Sequence, residues 1–410
     1  MNDLLAPIIS DALDQAEALL EADVVQVEAW ASDLASLALE ADPTGLDAVV
    51  AALIDAPGVG SVAALWALDA LVDGLDIAES AFAPAPPWGP DLLTAHSDGV
   101  FLLNDWRGQS AAFTFVDANE ARHVLVIDFV PGSSAQPETL GEAMVGPAAV
   151  LSSAEEEKLR VETTDVDELV RRVTRAWGAT AAPPTSLVAL SRLAIARLTP
   201  LGATDLKPLA WVAPEVQQLD PIDPDDAAWA RDVLDRAVGD ASLDPFDEAF
   251  STAAATLREA ASVDDDLAQW LAASVGPVDL DANDRSVVLA ALAATVAPQR
   301  LEPLTSRSQQ AVVDLEFADW LGVVIGLVRA GPNTSAEPDA LVDLVNRCPE
   351  VTTTIPKADR ARVAWALAVV TEGWEPLGIT TDGAVTAFGA AVLPAALREA
   401  WEPPPASDDR

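Results

Sequence analysis

Apolar residues recur at helical spacing over most of this 410-residue chain. Leu46, Val49, Val50, Leu53 and Ile54 fall at i, i+3, i+4, i+7 and i+8, one stripe with Asp and Ala elsewhere. The stretches Asp3–Ala22, Val24–Ala41 and Val62–Phe82 are similarly rich in Ala and Leu, and Asp42-Pro43 and Ala56-Pro57-Gly58 punctuate them. Residues 1–83 therefore read as a helical bundle. The run Ala83-Pro84-Ala85-Pro86-Pro87-Trp88-Gly89-Pro90 cannot be helix and marks a boundary. Beyond it apolar residues alternate, so Val100–Trp106, Ala111–Asp117 and Arg122–Val130 are predicted as consecutive antiparallel strands, with turns at 107–109 and 117–120. Shorter strands are expected at Ala143–Val145 and Lys158–Glu162, and a capped helix over Asp165–Trp177. Residues 91–180 then form an α+β domain.

The helical period returns over 184–307. Asp223-Pro224-Asp225-Asp226 and Asp244-Pro245 are helix starts, with Asp as cap, Pro at the first helical position and acids at the positive end of the dipole. Helices are expected at Ser186–Leu198, Asp225–Val238, Phe246–Ala260, Asp265–Ser274 and Asn283–Val296. Their short connections imply an irregular bundle or short solenoid. Residues 308–401 change character. An apolar helix over Asp314–Arg329 precedes the extended piece Thr334–Glu337, a short helix Asp339–Arg347, a second helix Ala358–Trp374, two short strands about Asp382-Gly383, and a last helix ending at Trp401. Helix, strand, helix, helix, hairpin is the winged-helix order. The chain is thus expected to be mainly α with a central antiparallel α+β segment, a bundle or solenoid-like body and a C-terminal winged-helix-like unit, with 402–410 a disordered tail.

Charge narrows the partners. Sixty-six acids against 23 bases give a net charge of −43, which repels nucleic acid and anionic membranes at long range. Solvation in a high-GC or salty cytoplasm, a cationic partner, and mimicry of a phosphate surface each account for such a balance. One cysteine, Cys348, excludes an intramolecular disulfide framework, and two histidines are too few for a Cys/His zinc site. No metal or cofactor is expected. Gly58-x-Gly60-x-x-Ala63 imitates a dinucleotide fingerprint, but helical periodicity before it makes it a helix–helix turn. The N-terminus lacks the basic start of a signal peptide. Apolar runs such as Trp320–Val328 fall short of the ~20 residues that span a bilayer, so a soluble, cytoplasmic chain without membrane contact is expected.

Two sets of side chains offer chemistry. His96, Asp105, Arg107, Arg122, His123 and Asp128 lie on or beside the strands, and an enzyme with a cleft there would use Asp105, Arg107 and His123. Alternation puts His123 and Asp128 on opposite faces, and no Ser/His/Asp, P-loop or CxxC spacing supports catalysis. The second set is Lys357, Arg360 and Arg362 at the start of the helix in the recognition position, with Arg347 ending the preceding helix. These are candidate nucleic-acid or partner contacts. Residues 313–401 hold six bases and twelve acids, less acidic than the rest but without the basic excess of a DNA-binding domain. A protein-contact role, with a cationic protein as one possible partner, is therefore expected over a DNA-binding regulator.

The stretches LVNRCPEVTTTIPKADR, VVIGLVRAGPNTSAEPDALVDLVNRC and AVTAFGAAVLPAALREAW, with FLLNDWRGQSAAFTFVDANEARHVLVIDF in the middle, resemble a family of hypothetical proteins from high-GC actinobacteria. The resemblance implies a helical N-terminal half, a strand-rich centre and a similar C-terminal end. It carries no activity, cofactor or catalytic residue. Phe388-Gly389-Ala390 stands where a DNA binder would carry a more basic wing.

Overall fold

The computed structural model describes residues 5–56, 58–72, 75, 77, 85–104, 108–149, 151, 160–211, 223–239, 242–263, 284–296, 315, 317–351 and 354–401. The expected helix Asp265–Ser274, the tail 402–410, and Asp105 and Arg107 lie outside the described residues. The chain divides into two compact units, residues 1–131 with 136–215, and 132–135 with 216–410.

The first unit opens with helices α1 (Leu5–Gln15), α2 (Val24–Ala41), α3 (Gly45–Asp55) and α4 (Val59–Leu71). Asp23 starts α2 through a capping box: its carboxylate accepts the Gln26 N–H at 2.8 Å, and the Gln26 side chain accepts the Asp23 N–H at 3.0 Å. At Gly60 a Cβ would fall 2.7 Å from the Glu17 nitrogen, so glycine here lets α4 lie against the backbone of the short turn Ala16–Leu20. The Gly58-x-Gly60 stretch thus follows helix α3 rather than a strand, and its glycine serves close helix packing.

Five antiparallel strands follow: β1 (His96–Asn104), β2 (Gln109–Val116), β3 (Arg122–Val130), β4 (Thr139–Pro147) and β5 (Arg160–Thr163), in the order β4-β3-β2-β1-β5. Period-two alternation sorts their side chains. Phe113, Phe115, Leu125, Ile127 and Phe129 enter the large core, whereas Leu103, Ala112, Val124 and Val126 form a small cluster on the other face. Edge strand β4 is closed off by hydroxyls. The Leu140 N–H donates to Thr180 Oγ1 at 2.9 Å and the Ala143 N–H to Ser186 Oγ at 3.2 Å, which satisfies backbone groups that an open edge would offer to another chain. Helices α5 (Val166–Ala179), α6 (Thr185–Ala189) and α7 (Ser191–Leu198) complete the unit.

One continuous core runs from Ala12 in α1 to Ala203, just past α7, and takes in both the first four helices and the sheet. The Pro-rich stretch near residue 88 changes the local conformation without dividing that core. Trp88 is itself buried, and its indole N–H donates to the Leu19 carbonyl at 2.6 Å. The apolar faces of α1–α4 and of the sheet cover one another.

The second unit contains α8 (Pro224–Val238), α9 (Asp247–Val263), α10 (Asp284–Val296), α11 (Phe317–Ala330), α12 (Pro338–Arg347) and α13 (Arg360–Val370), then β6 (Thr380–Thr381), β7 (Ala384–Val385) and α14 (Ala387–Ala400). Gly322 and Gly326, one turn apart on α11, face Val345 and Leu344 of α12. A Cβ at Gly322 would lie 2.9 Å from the Val345 Cα, so the two helices approach only because side chains are missing there. Asp382 and Gly383 both have positive φ, the conformation a tight hairpin turn requires between β6 and β7. The extended segment 333–336 joins that hairpin through Asn333 N–H to Val385 O, Val385 N–H to Thr334 O and Ala336 N–H to Gly383 O, each 2.8 Å. Thr386 caps α14 by accepting the Gly389 N–H at 2.9 Å. Among the described residues no helix is long and apolar enough to cross a membrane.

A Cβ on Gly389 would sit 2.2 Å from the Ile379 carbonyl oxygen, whereas one on Gly373 meets nothing within 4 Å. Gly389→Ala should therefore destabilise the chain by about 1–3 kcal/mol in urea denaturation, and Gly373→Ala by no more than about 0.5 kcal/mol. Equal effects would mean that α14 does not rest on the hairpin as described.

Candidate functional site

Arg360 opens α13 and turns toward α12. Its Nε meets Asp339 Oδ1 at 2.9 Å, its Nη1 meets Asp343 Oδ1 at 2.6 Å, and its Nη2 donates to the Asp339 carbonyl at 2.8 Å. Asp339 and Asp343 are four apart on α12 and share a face, which is why one guanidinium can take both. Hydrogen bonding from Arg360 holds the Asp343 carboxyl below its usual range. Arg362 is buried, with its guanidinium over the Trp365 ring at 5.3 Å. Arg347 is exposed, and its Nε donates to the Asp343 carbonyl at 2.9 Å within its own helix. Lys357 is exposed in the turn before α13. The four bases are thus close in sequence but do not present one cationic face.

Nearby, Arg329 at the end of α11 grips Glu350 through two bonds of 2.8 and 2.6 Å and holds that carboxyl down to about 2. The Cys348 thiol donates to Glu350 Oε2 at 3.2 Å, and burial pushes its pKa up, the opposite of what a thiolate nucleophile needs.

The strand residues separate as alternation requires. His96 is exposed; Arg122 is exposed and pairs with Asp98 at 3.2 Å; Asp128 accepts from Ser110 Oγ at 2.7 Å across β2–β3. His123 points the other way, into the large core, and is fully buried.

There it joins a charged cluster built from four elements. Glu28 of α2 and Arg197 of α7, both almost wholly buried, are joined by one bond of 2.7 Å from Nη2 to Oε1; the same oxygen accepts the Leu93 N–H at 3.3 Å. The Arg197 guanidinium lies over the Phe115 ring at 5.3 Å, and His123 stacks on Phe115 with centroids 5.8 Å apart. Asp117, at the β2–β3 turn, spends Oδ1 on the N–H groups of Asn119 and Ala121. Six buried atoms of this cluster lack a hydrogen-bond partner: Glu28 Oε2, Asp117 Oδ2, both His123 ring nitrogens, and Arg197 Nε and Nη1. Burial pushes the Glu28 carboxyl up, with Arg197 pulling it part of the way back. His123 is lowered to about 4, first by burial and then by Arg197, with Asp117 and the Ala121 backbone opposing. At neutral pH the ring is uncharged. Among the described residues no group of three or more His, Cys, Asp or Glu is disposed to hold a metal ion.

No family model, no curated protein and no solved structure matches this chain. The cluster therefore stands on its own geometry. Glu28 and Arg197 escape a sequence reading that follows only apolar stripes, yet the signal is there. Val24, Glu28, Ala31 and Ala35 share one face of α2, and Leu190, Leu193, Arg197 and Leu198 share one at α7, so each charge interrupts an otherwise apolar stripe.

Glu28→Leu removes the anion and strands Arg197 in the core, which should cost about 3–5 kcal/mol in urea denaturation at pH 7. Glu28→Leu combined with Arg197→Met strands no charge and should lose much less. Equal losses would mean that the pair is not coupled.

Proposed function

We propose that this chain is a non-enzymatic interaction protein whose residues 317–401 form a winged helix used for protein contact, with a cationic protein segment as the partner. The order of elements supports the winged-helix reading: α11, the extended segment 333–336, α12, α13, the β6–β7 hairpin and α14, with the extended segment hydrogen-bonded to the hairpin. Contact with protein rather than nucleic acid rests on one observation. Arg360, at the start of the helix that would enter a groove, is engaged by Asp339 and Asp343 instead of being offered to phosphate. Affinity for DNA comes largely from phosphate contacts, and a chain of net charge −43 with its recognition arginine so occupied has little to supply them. The same charge favours a Lys/Arg-rich partner.

The test is fluorescence anisotropy with the full chain and two labelled probes, a mixed-sequence DNA duplex and a Lys/Arg-rich peptide, across a salt series. The peptide should bind at low salt and be released as salt rises, while the duplex stays unbound. Salt-sensitive duplex binding that Arg347→Ala with Lys357→Ala abolishes would instead make the chain a DNA-binding regulator.

A further inference from the structure

We propose that His123 is an acid-sensitive latch, whose protonation releases the β2–β3 end of the sheet from helices α2 and α7. The ring sits where three other elements bring charge. Glu28 and, at the helix cap, Asp23 come from α2; Arg197 comes from α7; Asp117 comes from the β2–β3 turn; the neighbouring Arg122 is exposed and engaged with Asp98. In the closed arrangement neither ring nitrogen makes a well-formed hydrogen bond, and the backbone of Ala121 is the one neighbouring group placed to support a charged ring that way. A proton on His123 would therefore place an imidazolium in the core beside the Arg197 guanidinium with no carboxylate bonded to it, and burial and Arg197 together outweigh the support from Asp117 and the Ala121 backbone. Full pairing of that charge would come from the second carboxylate oxygen of Asp117 or Glu28, neither of which the ring meets where it stands, or from water outside. The elements joined at this point are those that the cluster itself ties together, so leaving it loosens their contact.

Linkage gives the sign. The ring's affinity for protons is lowered in the closed state, so the open state binds more protons between about pH 6.5 and about pH 4, and closure weakens as pH falls through that window. Glu28, raised by burial, acts in the opposite sense, which is why a comparison at position 123 is needed to isolate the ring.

Hydrogen exchange of the full chain, corrected for the intrinsic pH dependence of exchange, tests this at pH 7 and pH 5. Protection across residues 113–126, and across the facing parts of α2 and α7, should fall about 20-fold, while α11–α14 change little. His123→Phe keeps a stacked ring without a proton site, and His123→Gln keeps a polar side chain without one. Either variant, if folded, should lose the pH response in those segments. Retained protection in the unmodified chain at pH 5 would overturn the latch, as would the same loss in a folded variant that has no histidine there.

Discussion

A charged pair buried where helices meet a sheet is the constraint on which the first unit turns. Glu28 and Arg197 are 169 residues apart, on α2 and α7, and their contact is made in the layer that also holds Phe115 and His123 of the sheet. Such a pair is a poor source of stability, since desolvating two ions offsets most of their attraction. It does specify an arrangement, because a shift of either helix or of the β2–β3 end would leave a charge in apolar surroundings. Burial of Trp88 beside the Pro-rich stretch, and the side-chain hydroxyls that close edge strand β4, act in the same direction. Helices and sheet are fastened as one body through a single core.

The second unit depends on close approach at glycines as well as on charge. Absent side chains at Gly322, Gly326 and Gly389 set how near α11 comes to α12 and α14 to the hairpin, and paired carboxylates on α12 fix the start of α13 through Arg360. Of the four bases that look like a nucleic-acid surface in the sequence, Arg360 and Arg362 are taken up within the unit, whereas Arg347 and Lys357 are exposed.

Local pattern made much of this legible. The antiparallel meander follows from alternation, the helices from their stripes, and the burial of His123 away from Asp128 from the two faces of β3. What one sequence cannot display is which apolar face covers which, so residues 1–83 and 91–180 read as separate domains although one core runs through both. Neither does charge density show where a side chain goes. Arg360 and Arg362 are two residues apart on a helix and so point in different directions, one to Asp339 and Asp343 and one into the core beside Trp365. Glu28 and Arg197 were visible only as interruptions of apolar stripes, a signal that gains meaning when the two stripes are known to meet.

The most direct test of the buried cluster is a nuclear magnetic resonance titration of the two histidine rings in the full chain. His123 should remain neutral down to about pH 5 and take up its proton near 4, together with loss of the β2–β3 contacts. Titration of His123 near 6.5 with the surrounding resonances unmoved would contradict it, because the ring would then be in contact with water and the cluster open at neutral pH.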